Sequence, residues 1–278
     1  FATYMAYKAV DNYFPEWKMW EDFVGDSTGG AFAADSLKST HAIAASVKSA
    51  NQIEEIFDEI SYGKGGSVLR MIDNYIGEES FRKGVSDYLK KYQYSNAVAS
   101  DLWNSLSEIS GEEIKEIIED WIKKPGYPLV NVKDEGKISL SQDKFNGKAK
   151  IWKIPLTYEY ENQIIKQLFD KKNMQLNVSG IVKLNCYQQG FYRVHYPGLN
   201  YLRKLLTGNE RPLERWALQN DLFSVCFYEN EDIRKYFDFI RFYSEEQSHF
   251  VLGDIYSHLY TLYFLFSGEE WWESVWSK

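Results

Sequence analysis

Three glycines and a lysine precede an apolar run in the segment ISYGKGGSVLRMI, residues 60–72. Glycine-rich loops bind phosphate when a strand leads into the loop and a helix follows it, because backbone amides then point at the anion. Here the spacing does not fit G-x-x-x-x-G-K-[ST], and the preceding segment NQIEEIFDEI, residues 51–60, has its apolar residues at helical spacing. A helix therefore leads into the turn, and phosphate binding is the weaker interpretation.

Tyr62 is the residue of this segment whose chemistry best suits a reaction. A neutral phenol, with a pKa of about 10, can donate one hydrogen bond to an oxyanion that develops on a carbonyl group. Its small glycine neighbours would let backbone and substrate approach closely. The alternative is that Tyr62 only packs, as is expected for most of the 21 tyrosines of the chain.

Residues that commonly bind metals or act as nucleophiles are sparse. The four histidines are His41, His195, His249 and His258. No two of them lie four residues apart, so the chain has no H-E-x-x-H pair and no recognisable zinc site. The G-x-S-x-G match GDSTG, residues 25–29, follows the helical segment PEWKMWEDFV and no strand, so it does not predict a nucleophile elbow, and Cys186 and Cys226 both fall in predicted core elements. Acidic runs on the predicted helices are typical of solvated helix faces.

The composition is that of a globular chain with an excess of acidic residues. Of the 278 residues 44% are hydrophobic and 17% are aromatic, and the formal net charge is −8. Nucleic-acid binding depends on Lys and Arg that neutralise phosphates, so this charge argues against it. Two cysteines without C-x-x-C spacing favour a cytoplasmic over a secreted protein. The longest apolar segment, from Val251, contains Asp254 and His258 and predicts a buried helix with no membrane span.

Hydrophobic periodicity divides the chain into three parts. Residues 1–126 have apolar residues at i, i+3, i+4 spacing and predict helices, one of them at residues 51–60. Residues 127–198 form seven short runs with a period near two, which predicts a small antiparallel β-sandwich. Helical spacing returns over residues 199–278 and includes a predicted helix at 268–276. The predicted fold class is therefore multidomain α+β.

Several segments together resemble the M1 family of zinc aminopeptidases, and within it the archaeal tricorn-interacting aminopeptidases. In family order these segments are FATYMAYKAVDNYFPEW, EIFDEISYGKGGSVLRMI, FRKGVSDYLKKY, DLWNSL, WIKKPGYPLVNV and GFYRVHY. The resemblance implies the helical part of a thermolysin-like catalytic domain over residues 1–126. It further implies a β-sandwich over 127–198 and the first helices of a helical C-terminal domain over 199–278.

The resemblance also implies a catalytic chemistry. In this family an H-E-x-x-H helix and a glutamate of an N-E-[GS]-F-A segment hold zinc, and a G-A-M-E-N strand holds the substrate amine. The chain opens with the FA of that segment, so the implied zinc ligands lie upstream of Phe1. Tyr62 matches the family tyrosine that donates a hydrogen bond to the oxyanion of the tetrahedral intermediate. Many members have proline after the histidine of STHAI, where this chain has Ala42 after His41, so a φ constraint is lost.

Two functional hypotheses follow. In the first, the chain is a fragment of a zinc aminopeptidase that removes N-terminal residues from peptides with a zinc-activated water. The fragment contributes Tyr62, is inactive alone, and belongs to a protein whose partners are peptide substrates and a larger proteolytic complex. In the second, the chain is a non-catalytic scaffold or protein-interaction module, and Tyr62 is structural.

Overall fold

The computed structural model of the chain describes residues 1–44 and 57–269. The chain divides into two compact units, Phe1–Pro197 and Gly198–Lys278. Both helices and strands are present, which confirms the predicted α+β class. The predicted helices at 51–60 and 268–276 lie mostly outside the described residues. The predicted boundary between residues 126 and 127 stays a prediction.

The first unit begins with helices. In chain order these are α1 (Ala2–Tyr13), α2 (Met19–Asp22), α3 (Gly29–Asp35), α4 (Gly65–Ile76), α5 (Glu78–Lys91), α6 (Ala99–Ser110) and α7 (Ile114–Lys123). A 3-10 turn, Pro15–Trp17, separates α1 from α2. Two π-helical segments interrupt the regular spacing: Phe23–Thr28 joins α2 to α3, and Ile60–Lys64 leads directly into α4. Both π-helical segments therefore continue into regular helices.

Seven strands follow in the same unit. They are β1 (Pro128–Asp134), β2 (Ile138–Lys144), β3 (Ile154–Tyr160), β4 (Gln163–Phe169), β5 (Asn173–Gln175), β6 (Lys183–Leu184) and β7 (Arg193–His195). They form a four-stranded sheet in the order β5-β2-β1-β7 and a three-stranded sheet in the order β4-β3-β6. The residue that precedes β7 contacts the three-stranded sheet, because the hydroxyl of Tyr192 accepts a hydrogen bond from the amide of Thr157 in β3.

The prediction of a purely antiparallel sandwich is wrong in one strand. β7 pairs with β1 in parallel, with Val130 opposite Val194, whereas the other described pairs are antiparallel. Parallel neighbours need a long crossover rather than a hairpin. Here the chain from β2 to β6 supplies that crossover, and a period of two in the sequence does not distinguish the two pairings.

Aromatic residues join the helices of the first unit to its sheets. Phe32 of α3 stacks on Phe191, with ring centroids 4.5 Å apart, and lies 4.7 Å from the ring of Tyr127. The guanidinium of Arg193 lies 4.4 Å from the centroid of Phe32 and donates to the hydroxyl of Tyr127 at 3.1 Å. All four side chains are buried, so α3 is fixed to the strands that follow it.

The second unit is helical. Its elements are α8 (Leu199–Leu206), α9 (Pro212–Tyr228), α10 (Arg234–Ile240), a 3-10 turn (Arg241–Tyr243) and α11 (His249–Phe266). Arg215 of α9 forms a two-bond ion pair with Glu246 at 2.6 and 2.7 Å, just before α11.

Within the described part of the chain, helices that are both long and apolar enough to cross a membrane are absent.

Candidate functional site

Tyr62 lies in the π-helical turn at the start of α4. The amides of Gly63 and Lys64 both donate to the carbonyl of Glu59, at 2.9 and 3.0 Å. The bond from Lys64 spans five residues, which is the hydrogen bond of a π-helix. The Tyr62 side chain is 51% exposed, and its ring stacks near that of Phe57 at 6.2 Å. Its hydroxyl makes no hydrogen bond to another described residue. The phenol is therefore accessible to a ligand.

Gly63 brings the Tyr62 turn into close contact with the other π-helical segment. A Cβ on Gly63 would overlap the backbone carbonyl oxygen of Ser27 and would lie 3.1 Å from the Cβ of Ala31. Only glycine fits such an approach of two backbones. The glycine that follows Tyr62 is thus explained by packing of the two π-helical segments.

Hydroxyl groups add hydrogen bonds across the same contact. The side chains of Thr28 and Ser67 lie 2.9 Å apart, Oγ1 to Oγ, and both are buried. Ser67 also lies 2.8 Å from the carbonyl oxygen of Gly63, to which its hydroxyl can donate. The backbone next to Tyr62 is consequently bonded to α4, and α4 in turn to the segment Phe23–Thr28.

Lys64, the lysine of the glycine-rich segment, points away from solvent. Its side chain is fully buried, and Nζ lies 3.0 Å from Oδ2 of Asp35. It also donates to the backbone carbonyls of Lys124 at 3.2 Å and Gly126 at 3.0 Å. Burial lowers the pKa of Lys64, and the carboxylate of Asp35 opposes this effect. A fully buried ammonium with three oxygen partners is not available to a phosphate, which removes the phosphate-loop interpretation.

Asp58 precedes Tyr62 and caps the turn. Its Oδ1 accepts hydrogen bonds from the amides of Ile60 at 3.1 Å and Ser61 at 2.9 Å, and its backbone carbonyl accepts from the amide of Tyr62 at 3.0 Å. The other carboxylate oxygen, Oδ2, lies 2.7 Å from Nε2 of His41. The histidine of STHAI is thereby brought to the Tyr62 turn.

The histidines His195 and His258 and both cysteines contact neighbouring residues in the fold and do not gather into a reactive site. Nδ1 of His195 lies 3.2 Å from Oδ1 of Asn131, across the parallel pair of β1 and β7. His258 stacks on Phe223 with centroids 3.7 Å apart. Cys186 and Cys226 are both buried, and burial raises the pKa of Cys226 to about 11. High thiol pKa values disfavour the nucleophilic thiolate.

A zinc site does not fit the described residues. Among residues 1–44 and 57–269, no group of three or more His, Cys, Asp or Glu side chains is arranged to hold a metal ion. Zinc sites of peptidases need three protein ligands and an open position. His41 and Asp58 form a pair, and a third ligand does not accompany them among the described residues.

Comparison with known proteins shows which family the chain resembles. Residues 1–121 match the peptidase family M1 domain. The chain is 40% identical to Probable aminopeptidase 2 of Sulfurisphaera tokodaii and to Leucyl aminopeptidase of Saccharolobus solfataricus, in each case over 95% of this chain and 34% of the relative. It is also 40% identical to Tricorn protease-interacting factor F2 of Thermoplasma acidophilum, with the same coverage.

These matches confirm the family and the archaeal relatives that the sequence segments indicated. The chain spans about a third of the length of these curated relatives.

The sequence indicated Tyr62 but not the residues that hold its turn. Asp35 and Lys64 are far apart along the chain, as are His41 and Asp58, and no local pattern pairs them. An Asp that precedes a turn by two or three residues is the one available indication, because such residues cap backbone amides.

Proposed function

We propose that this chain is part of a family M1 metallo-aminopeptidase, in which Tyr62 donates a hydrogen bond to the oxyanion of the scissile carbonyl. The observation that carries the proposal is the accessible phenol of Tyr62 on a turn whose backbone is held by hydrogen bonds. The names of the aminopeptidase relatives support the reaction class. The name of Tricorn protease-interacting factor F2 supports a larger proteolytic complex as a partner of the full-length protein.

The chemical task of Tyr62 is limited to one hydrogen bond. When water adds to a peptide carbonyl, the oxygen gains negative charge, and a donor already aimed at that oxygen stabilises the charge more than it stabilises the neutral substrate. Tyr62 suits this task because its phenol has a hydroxyl group that can donate one hydrogen bond. The fixed turn suits it too, because a donor that does not move needs no reorganisation during the reaction.

The metal is not assigned to this chain. Family M1 implies zinc, yet the described residues have no ligand set for it. On this proposal the zinc ligands of the full-length protein are supplied by segments other than the described residues. Residues 1–278 on their own are then inactive, and their contribution is Tyr62 with the backbone that holds it.

Replacing Tyr62 by Phe in the full-length protein tests the proposal. The substitution keeps the ring beside Phe57 and removes only the hydroxyl. Loss of one oxyanion donor should lower kcat for an aminoacyl substrate by about 10² to 10³, with little change in KM. Tyr88→Phe is the matched control, because Tyr88 lies on α5 and its ring contacts Tyr92. A Tyr62→Phe enzyme with the parental kcat would sink the assignment.

A second candidate, a protein-interaction module, has one observation in its favour. The prediction that the segment from Val251 is a buried helix is wrong, because α11 buries only Val251, Ile255 and Leu262. Three aromatic residues at four-residue spacing on α11, Tyr256, Tyr260 and Phe264, are exposed. Exposed aromatic side chains are enriched where proteins bind one another. Reading the gene upstream of Phe1 for H-E-x-x-H and its distant glutamate separates the two candidates. Absence of these ligands, with no hydrolysis by the full-length protein, would favour the module.

A further inference from the structure

Both ring nitrogens of His41 face oxygen atoms that accept hydrogen bonds. Nε2 lies 2.7 Å from Oδ2 of Asp58, and Nδ1 lies 3.0 Å from the backbone carbonyl oxygen of Ala42. A neutral imidazole carries a proton on one nitrogen only, whereas the imidazolium carries one on each. Both ring nitrogens therefore donate a hydrogen bond when His41 is protonated. When His41 is neutral, the lone pair of one ring nitrogen faces an oxygen atom instead.

Asp58 connects this histidine to Tyr62. Through Oδ1 it holds the amides of Ile60 and Ser61, and through its backbone carbonyl it holds the amide of Tyr62 itself. The carboxylate therefore holds the turn through one oxygen and meets His41 through the other. A movement of this carboxylate would be transmitted to the first residues of the π-helical turn.

The charged groups around His41 favour its protonated form. Among the described residues these are Asp58 in direct contact and Asp35 at longer range, and Asp35 is itself paired with Lys64. The hydrogen bond to the Ala42 carbonyl raises the pKa of His41 above 6.5, burial opposes this, and Asp58 adds to it. Burial tends to raise the pKa of Asp58, but hydrogen bonds from Ser61 and His41 outweigh it and lower the pKa.

We propose that Asp58 is a positioning residue for Tyr62, and that protonated His41 fixes Asp58 so that the alignment of Tyr62 depends on pH. The inference rests on the proposed role of Tyr62. Because the folded protein favours the imidazolium, the His41–Asp58 contact stabilises the turn fully below pH 6.5. The stabilisation is lost as the pH rises through the raised pKa of His41. The turn then keeps the hydrogen bonds to Oδ1 of Asp58 but loses the ion pair that holds the carboxylate.

A double-mutant cycle in the full-length protein tests the positioning role. Asp58→Asn keeps an oxygen for the amides of Ile60 and Ser61 and removes the charge that faces His41. It should lower kcat about 10-fold or more while KM changes little, since a small misplacement of a donor costs that much. In a Tyr62→Phe background the same substitution should change kcat within about twofold, because it acts through the missing hydroxyl.

The outcomes of the cycle separate this inference from the proposed function. If Tyr62→Phe itself has the parental kcat, the proposed function fails. If Tyr62→Phe is impaired but Asp58→Asn lowers kcat by the same factor in both backgrounds, only the positioning role is overturned. Asp101→Asn is the matched control, because Asp101 also accepts a backbone amide, that of Val98 at 2.9 Å, at the start of α6. An equal loss in that control would also overturn the inference.

His41→Gln tests the pH dependence and remains informative if Asp58→Asn does not fold. Glutamine can still donate to Asp58 but does not titrate near neutrality. The parent should lose kcat, and amide protection of Ser61 in hydrogen exchange, as the pH rises through the pKa of His41 measured by NMR. The His41→Gln enzyme should lack this transition in both measurements. Superimposable pH profiles for the parent and His41→Gln would overturn the role of His41.

Discussion

The ammonium nitrogen of Lys64 lies 3.0 Å from a carboxylate oxygen of Asp35, and both side chains are completely buried. Oδ1 of the same carboxylate accepts the amide of Gly126 at 2.8 Å and the hydroxyl of Thr40. Lys64 is two residues from the exposed Tyr62. The turn that exposes a phenol on one side is therefore held on the other by an ion pair without access to water.

Removing one partner of this pair should be costly. Lys64→Met leaves the Asp35 carboxylate buried without its ammonium, and we expect the free energy of unfolding to fall by about 3–5 kcal/mol. Adding Asp35→Asn should recover part of the loss, because the uncompensated charge is then gone. Urea unfolding measures both effects. Lys83→Met, which removes an exposed partner of Glu79, is the control and should change stability by about 0.5 kcal/mol or less. Equal losses in Lys64→Met and Lys83→Met would contradict the prediction.

Alanine at two nearby glycines should have opposite effects on stability. Gly63→Ala places a methyl group against the carbonyl of Ser27, so we expect a loss of about 1–3 kcal/mol and a lower kcat. Gly65 has helical angles, φ −59° and ψ −43°, and open space around its Cβ position. Gly65→Ala should therefore stabilise the protein by about 0.5–1 kcal/mol. Thermal melts of the two variants decide the matter, and a stabilised Gly63→Ala variant would refute the close contact.

The Arg215–Glu246 pair predicts a pH-dependent stability of the second unit. Burial tends to raise the pKa of Glu246, but hydrogen bonds from Arg215 and from the amide of Ser248 outweigh it and lower the pKa below 4.5. The carboxylate therefore stabilises the fold above pH 4.5, and this contribution is lost as the pH falls through the lowered pKa. Glu246→Gln should cost about 1.5–3 kcal/mol at pH 7 and progressively less in acid.

Denaturation at several pH values provides the measurement. Asp238→Asn is the control, because Asp238 and its partner Arg241 are exposed and lie 3.6 Å apart. This control should change stability by about 0.5 kcal/mol or less at every pH. A constant difference between the parent and Glu246→Gln from neutral to acid pH would show that the pair does not act through charge.

Residues 1–278 alone should not bind zinc stoichiometrically. The expectation rests on ligand chemistry, because peptidase zinc sites need three protein ligands and the described residues offer no such group. Metal analysis after dialysis against zinc should give far less than one ion per chain. One tightly held zinc ion per chain would mean that a ligand set exists in these residues after all.

Local patterns predicted the regular elements well. The buried stripe Ile114, Ile117, Ile118 and Trp121 has the spacing of α7, and the alternating segments became β1 to β7. α3 was not indicated, because it begins with two glycines and looks like a loop when judged by propensity. Burial of Phe32 against other elements makes this segment helical.

The candidate site was only partly predictable for a similar reason. Tyr62 could be identified because its phenol can donate a hydrogen bond and the glycines that favour close approach follow it directly in the sequence. The burial of Lys64 could not be predicted, because a lysine is normally solvated and nothing next to it in the sequence indicates a buried carboxylate. The residues that fix the turn are brought together by the packing of helices that are distant in the chain.

The parallel strand has a consequence for how the protein is made. β1 can pair with β2 as soon as the hairpin leaves the ribosome, but its other edge pairs only with β7, Arg193–His195. Until those residues emerge, Leu129, Val130 and Asn131 present an open strand edge, which is a site for wrong pairing with other chains. Translation pauses or truncations between β2 and β7 should therefore yield aggregation-prone chains, and this interval is where a nascent chain would most need a chaperone.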